Sequence, residues 1–175
     1  MRPSKIKNIQ LLVLDLDGTM TDGGVYYDDH GNETKKFAIK DGAALVLAHA
    51  AGLQVMICTG RECPAVARRA AELKVEHLHQ NVKNKRDFLA DFMQQNGLCA
   101  ANVAYCGDDL NDLAAMSLCG FVACPADACS EVRQRADYIC PQKGGEGAVR
   151  GMVEKILRSS GRWQQAVQKA FGADV

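Results

Sequence analysis

Short, unbroken apolar runs alternate along this chain with longer stretches whose apolar residues recur at helical spacing. Leu11-Leu12-Val13-Leu14 is the first run, and residues 54–58, 102–106 and 120–124 repeat the pattern. Runs of that length, closed by Gly or Pro, are the mark of strands buried on both faces, as in a parallel sheet. Residues 75–78 and 136–140 read as shorter strands. Between them the spacing predicts helices from Ala43 to Ala51, stopped by Gly52, and from Pro64 to about Leu73. Further helices are predicted from Lys85 to Gln95, from Leu113 to Leu118, from Ser130, and from Ala148 to about Leu157. Pro at a first turn and Gly just past a last one set these limits.

Strands alternating with helices predict an α/β fold with a doubly wound, mostly parallel sheet. One departure follows the first strand. Two β-prone runs flank the polar tip Asp28 to Glu33, which predicts a hairpin over residues 24–37. Its position directly after a strand end makes it a flap over whatever that end carries. There is no internal repeat, and residues 1–175 are expected to form one domain, closed by a helix and tail over about 148–175. Trp163, in that tail, reads as a packing anchor.

Chemistry enters at the strand ends. Asp15 and Asp17 follow the first run, and alternation along a strand sends both side chains the same way. Gly107-Asp108-Asp109 repeats the arrangement after the run that ends at Cys106. Parallel strands that lie side by side would gather Asp15, Asp17, Asp108 and Asp109 into one crevice. Anions that close raise one another's pKa unless a cation lies among them, and oxygen ligands suit Mg²⁺. Thr59 ends the second run and Lys85 lies just beyond the third, so the crevice would also hold a hydroxyl and an ammonium. A carboxylate nucleophile, a metal clamp and a fixed cation together suit phosphoryl transfer.

Composition narrows the class. The 21 basic and 21 acidic residues balance without long runs of one sign, which gives no support to a nucleic-acid or anionic-membrane surface. No apolar segment approaches membrane-spanning length, and Met1 to Lys5 lacks a secretion signal. The eight cysteines include no Cys-x-x-Cys pair, and several replace small apolar residues within strand-like runs. They read as reduced thiols of a cytoplasmic protein.

Asp15-Leu16-Asp17-Gly18-Thr19, Thr59, Lys85 and Gly107-Asp108-Asp109-x-x-Asp112 resemble, in order, the four motifs of the haloacid-dehalogenase-like phosphatases. The resemblance runs from about Ile9 to Leu157. The segments between motifs leave no room for an inserted cap domain, so the chain is similar to the capless group typified by 3-deoxy-D-manno-octulosonate 8-phosphate phosphatase. Thr21-Asp22-Gly23-Gly24, Asp41-Gly42, Thr59-Gly60-Arg61 and Gly144-Gly145-Glu146-Gly147 add to the likeness. The family often has Gly where this chain has Asn81.

The resemblance implies Asp15 as nucleophile and metal ligand, and Asp17 as general acid then base with its carbonyl on Mg²⁺. It implies Asp108 as a further ligand, with Asp109 and Asp112 close behind. Thr59 and Lys85 would hold phosphoryl oxygens; Gly60, Arg61 and Arg69 would contact the substrate, an Arg fork suiting a sugar carboxylate. Members of the group are similar in forming tetramers in which one subunit's hairpin covers a neighbour's site. The expected reaction is hydrolysis of a sugar acid phosphate, 3-deoxy-D-manno-octulosonate 8-phosphate in the lipopolysaccharide route. Glu146 leaves open the nine-carbon ulosonic acid 9-phosphates, whose phosphatases carry the same Gly-Gly-Glu-Gly form. A non-catalytic module attached to a sugar-nucleotide synthetase is the alternative of another class.

Overall fold

The computed structural model describes residues 6–174; of the short polar lead-in expected from Ser4 to Asn8, Ser4 and Lys5 lie outside them. Six parallel strands form the central sheet: β1 (Leu11–Leu14), β4 (Gln54–Cys58), β5 (His77–His79), β6 (Val103–Cys106), β7 (Phe121–Cys124) and β8 (Tyr138–Ile139). Their order is β5-β4-β1-β6-β7-β8, so β1 is central and pairs with β4 on one side and β6 on the other. The small antiparallel hairpin of β2 (Tyr26–Tyr27) and β3 (Glu33–Thr34) stands apart from the sheet.

Alternation along β1 explains why all four of its residues are buried. Leu12 and Leu14 pack with residues of α1 (Ile39–Ala50), α2 (Pro64–Glu72), α6 (Ala148–Ser159) and α7 (Trp163–Phe171). Leu11 and Val13 point to the other face, into α3 (Lys85–Gln95), α4 (Leu113–Met116) and α5 (Ser130–Arg135). Each face of the sheet thus has its own apolar layer, the doubly wound arrangement. Cys58, Cys106, Cys124 and Cys140 are buried free thiols within these layers. Among the described residues there is no inserted cap domain, and no helix is long and apolar enough to cross a membrane.

β5 begins at His77 rather than at residue 75 and α4 ends at Met116 rather than Leu118, and two further boundaries differ from expectation for physical reasons. Helix α1 starts at Ile39, ahead of Asp41-Gly42 rather than after it. Gly42 looks like a helix breaker, yet a Cβ there would lie 2.6 Å from Arg69 Nη2 and 2.9 Å from Leu73 Cδ2. Close packing of α1 on α2 accounts for it. Residues past Gly161 form a full helix, α7, which packs on α1 and α6; the Arg158 guanidinium stacks 4.0 Å from the Trp163 ring centroid.

Chain direction fixes where ligands can bind. The chain runs from β1 outward through β4 to β5, then returns across β1 to β6 and continues outward to β8. The reversal makes a switch point beside β1, and the crevice beyond the carboxyl ends of β1, β4 and β6 is the position open α/β sheets use.

Candidate active site

The last residues of three strands feed that crevice. β1 delivers Asp15 and Asp17, β4 delivers Thr59, and β6 delivers Asp108 through Gly107. The register sets Leu14 beside Ile57 and Cys106, so these three exits are level. A cleft of about 200 Å³ is lined by Asp15, Asp17, Thr59, Gly60, Arg61, Asp108, Asp109 and Asn111.

Asp15, Asp108 and Asp112 each bring a carboxylate oxygen within 4.8 Å of the others. Their burial differs in its consequences. Asp112, expected behind the ligands, is fully buried and already satisfied. Its Oδ1 accepts from Lys85 Nζ at 2.7 Å and Tyr105 Oη at 2.8 Å, and its Oδ2 from the N–H groups of Asp108 and Asp109 at 3.1 and 3.4 Å. Gly107 is required for this, because a Cβ there would lie 2.4 Å from Asp112 Oδ2. Lys85 also donates to Asp15 Oδ1, so one ammonium spans two carboxylates beneath the cleft. It starts α3, whose N-cap Asn84 accepts from the Asp87 N–H.

One ammonium does not offset the burial of these carboxylates. Burial, then the Asp112 charge, push Asp15 well above the usual carboxylate range despite Lys85. Burial chiefly pushes Asp108 up to about 6, although it accepts from Thr19 Oγ1 at 2.9 Å. Asp15 and Asp108 line the cleft with their carboxylates close together, and among the described residues the Asp17 carbonyl accepts no backbone hydrogen bond. The donors are all oxygens, so the set fits a small hard cation such as Mg²⁺. Held on Lys85 from beneath and by backbone amides through Asp112, these groups are oriented before anything binds.

The glycines around the site have a packing origin. Gly18 has φ +88°, and a Cβ there would meet Asp108 Oδ2 at 2.1 Å. Gly144 lies against the Gly18 carbonyl, where a Cβ would approach to 1.8 Å, and the Gly145 N–H donates to the Thr19 carbonyl. The Gly-Gly-Glu-Gly loop therefore braces the turn that carries Asp17. Glu146 itself is exposed. Asn81, standing where the family often has Gly, takes φ +59°, a conformation Asn tolerates better than most residues, so the turn is preserved.

The hairpin reaches back over the crevice. Lys35, just past β3, donates to Asp17 Oδ1 at 2.5 Å and to Glu33 Oε1 at 2.8 Å. Glu33 also accepts from Arg61 Nη2 at 2.9 Å, so the Arg61 fork is shared with the hairpin. Sequence reasoning missed Lys35, Glu33 and Tyr105. The first two sit in a polar hairpin with no motif spacing, and the third is a phenol within an apolar strand, the one visible signal of a buried acceptor nearby. Asp109 lies on the cleft wall, exposed, with its carboxylate accepting from the Leu110 N–H. Arg69 is not brought into the cleft. It lies against Phe37, its guanidinium 5.8 Å from the ring centroid, and donates to Glu72, because α2 turns it toward α1.

Comparison with known proteins agrees with the geometry. A family model described as haloacid dehalogenase-like hydrolase matches residues 76–152. The 3-deoxy-D-manno-octulosonate 8-phosphate phosphatase of Escherichia coli K12 is 37% identical over 163 residues, covering 93% of this chain and 87% of that protein. The solved structure of the same enzyme from Moraxella catarrhalis, in complex with magnesium, phosphate and a KDO molecule, is 37% identical with a TM-score of 0.89 and 92% of each chain covered. A cobalt-bound octulosonate phosphatase from Haemophilus influenzae is 35% identical with a TM-score of 0.86, covering 93% of this chain and 94% of that one. The chain belongs to the haloacid dehalogenase-like hydrolase family, in the capless group to which these phosphatases belong.

Proposed function

We propose that the protein is a Mg²⁺-dependent phosphatase that hydrolyses 3-deoxy-D-manno-octulosonate 8-phosphate to the free sugar acid and phosphate. The observation that carries this reading is the union of Asp15, Asp108 and Lys85 at the level exits of β1 and β6, with Asp17 on the wall of the same cleft. The identity and coverage of octulosonate phosphatases support the substrate. The whole chain, 1–175, is read as one phosphatase domain acting in the cytoplasm.

In this reading Asp15 and Asp108, with the Asp17 carbonyl, hold Mg²⁺, while Asp112 keeps Lys85 and the Asp108 backbone in place. When bound, the ion neutralises the buried carboxylates and draws charge from the phosphoryl oxygens. Asp15 attacks phosphorus to form a phosphoaspartate, and Thr59 and Lys85 bind the equatorial oxygens. Asp17 gives a proton to the departing sugar alkoxide, a poor leaving group unaided, and then removes one from the water that hydrolyses the phosphoaspartate. Arg61 meets the sugar carboxylate, sharing its fork with Glu33. A homo-oligomer, a tetramer by analogy with the group, would let a neighbour's hairpin complete the cleft.

A panel of sugar acid phosphates assayed for released phosphate tests the substrate. The octulosonate 8-phosphate is expected to be turned over best, and equal or better turnover of nine-carbon 9-phosphates would move the assignment to that relative. Chelation is expected to abolish turnover and added Mg²⁺ to restore it. Asp15→Asn is expected to abolish turnover while leaving assembly intact; an active variant would remove Asp15 as nucleophile and reopen the non-catalytic reading.

A further inference from the structure

We infer that Lys35, a hairpin residue, is the positioning residue that selects which oxygen of Asp17 faces the substrate. The inference rests on the phosphatase reading above. Three observations lead to it. The Lys35 side chain is 1% exposed, while that of Asp17 is 26% exposed. Its ammonium holds Asp17 Oδ1 at 2.5 Å, and no other hydrogen bond to the Asp17 carboxylate is made among the described residues. Asp17 nevertheless lines the cleft, so Oδ2 is the oxygen left to work there.

A carboxylate on a short side chain turns freely about its last bond. Asp17 must donate to the ester oxygen and later accept from water on the same line, so a free rotor would present the wrong oxygen or the wrong angle part of the time. Asp15 is restrained by Lys85 and Asp108 by Thr19. Among the described residues the Asp17 carboxylate is restrained by the hairpin alone. Glu33, bonded to both Lys35 and Arg61, holds the ammonium's other side and fixes the stem's direction. The hairpin thereby does more than cover the cleft: it sets the geometry of proton transfer.

Leaving-group dependence separates this role from mere support of the hairpin. The value of kcat/KM reports steps through phosphoaspartate formation, hence the donor half of Asp17's work. A sugar phosphate needs that proton; p-nitrophenyl phosphate releases a stable anion and does not. In Lys35→Met, kcat/KM for the best alkyl phosphate of the panel is expected to fall about 10²-fold, while that for p-nitrophenyl phosphate stays within about threefold. Retained aryl turnover also reports a folded site. Lys35→Gln, which keeps a donor of similar reach, is expected to lose less on the alkyl ester and again little on the aryl one, and it serves where the Met variant does not fold. Equal loss on both esters in the folded variants, or no loss on either, overturns the inference. If the unaltered protein hydrolyses neither ester, the phosphatase reading itself falls, and this inference with it.

Discussion

At the scale of single residues, the site depends on what is absent as much as on what is present. Gly18 sits where a side chain would strike the Asp108 carboxylate, and its φ of +88° lies where a β-carbon is strained. Gly52 has a similar φ of +77° after α1 but has nothing within 4 Å of its Cβ position. The two positions therefore share backbone strain and differ only in the collision. Ala at either should cost about 1–2 kcal/mol of stability. Only Gly18→Ala should also lower kcat/KM, by roughly 10²-fold, since displacement of Asp108 misplaces the ion and the phosphoryl group. Thermal unfolding and phosphate-release kinetics on the pair check this, and matched kinetics would show that the Gly18 site tolerates the shift. Lys85 illustrates the opposite economy. Its ammonium is buried between Asp15 and Asp112, and such a pair stands only because backbone amides and Tyr105 satisfy the remaining oxygens.

Among the elements, the strands were legible and the contacts between elements were not. Apolar runs place β1, β4, β6 and β7 to within a residue or so, because a strand buried on both faces tolerates no polar position. β5 and β8 sit at the sheet edges, where half-buried residues such as His77 and Tyr138 blur the pattern. Three of the four motifs stand at strand exits and the third begins α3, and each is local, so Asp15, Asp17, Thr59, Lys85 and Asp108 could be found by reading along the chain. Lys35 and the bracing by Gly144 depend on long-range approach, for which a single sequence carries no spacing signal. Asp41 is another such case. It lies buried in α1 yet accepts from the N–H groups of Gly147 and Arg150 at the start of α6, at 3.2 and 2.8 Å, joining two helices by a charge at a helix N-terminus. Burial outweighs those donors and raises Asp41 above its ordinary value. Between the ordinary and raised values the folded chain binds more protons than the unfolded one, so this group's contribution to stability falls as pH rises. Asn cannot titrate. The melting temperature of Asp41→Asn minus that of the parent should therefore move in the positive direction as pH rises out of the ordinary carboxylate range, whatever its absolute sign. A flat or falling difference in matched thermal scans would mean that the donors, not burial, govern Asp41.

For the molecule as a whole, the unanswered physical question is what covers the hairpin. A two-stranded hairpin is marginal by itself. Here it is tied down by Lys35 on Asp17, by Tyr26 Oη donating to Asp22 at 2.8 Å and by a bridge between Thr21 and Phe37. Its other side leaves apolar surface at Val25 and Tyr27, two residues apart and exposed by 53% and 65%. Polar ties on one side and bare apolar side chains on the other are what a protein–protein contact requires. The cleft meanwhile is shallow for an acid sugar, with Arg61 half exposed. A second copy of the chain would answer both needs, its hairpin burying apolar surface while closing the cleft against water. Val25→Asp tests the idea with little disturbance of the protomer, because an exposed position changes folding stability by only about 0.5 kcal/mol. Light scattering should show a smaller assembly, kcat/KM for the sugar acid phosphate should fall, and activity per chain should drop further on dilution. Turnover of p-nitrophenyl phosphate should persist, since Asp15, Lys85 and Asp108 all come from one chain. A dissociated variant with undiminished sugar acid turnover would show that each chain's own hairpin, through Lys35 and Glu33, is cover enough.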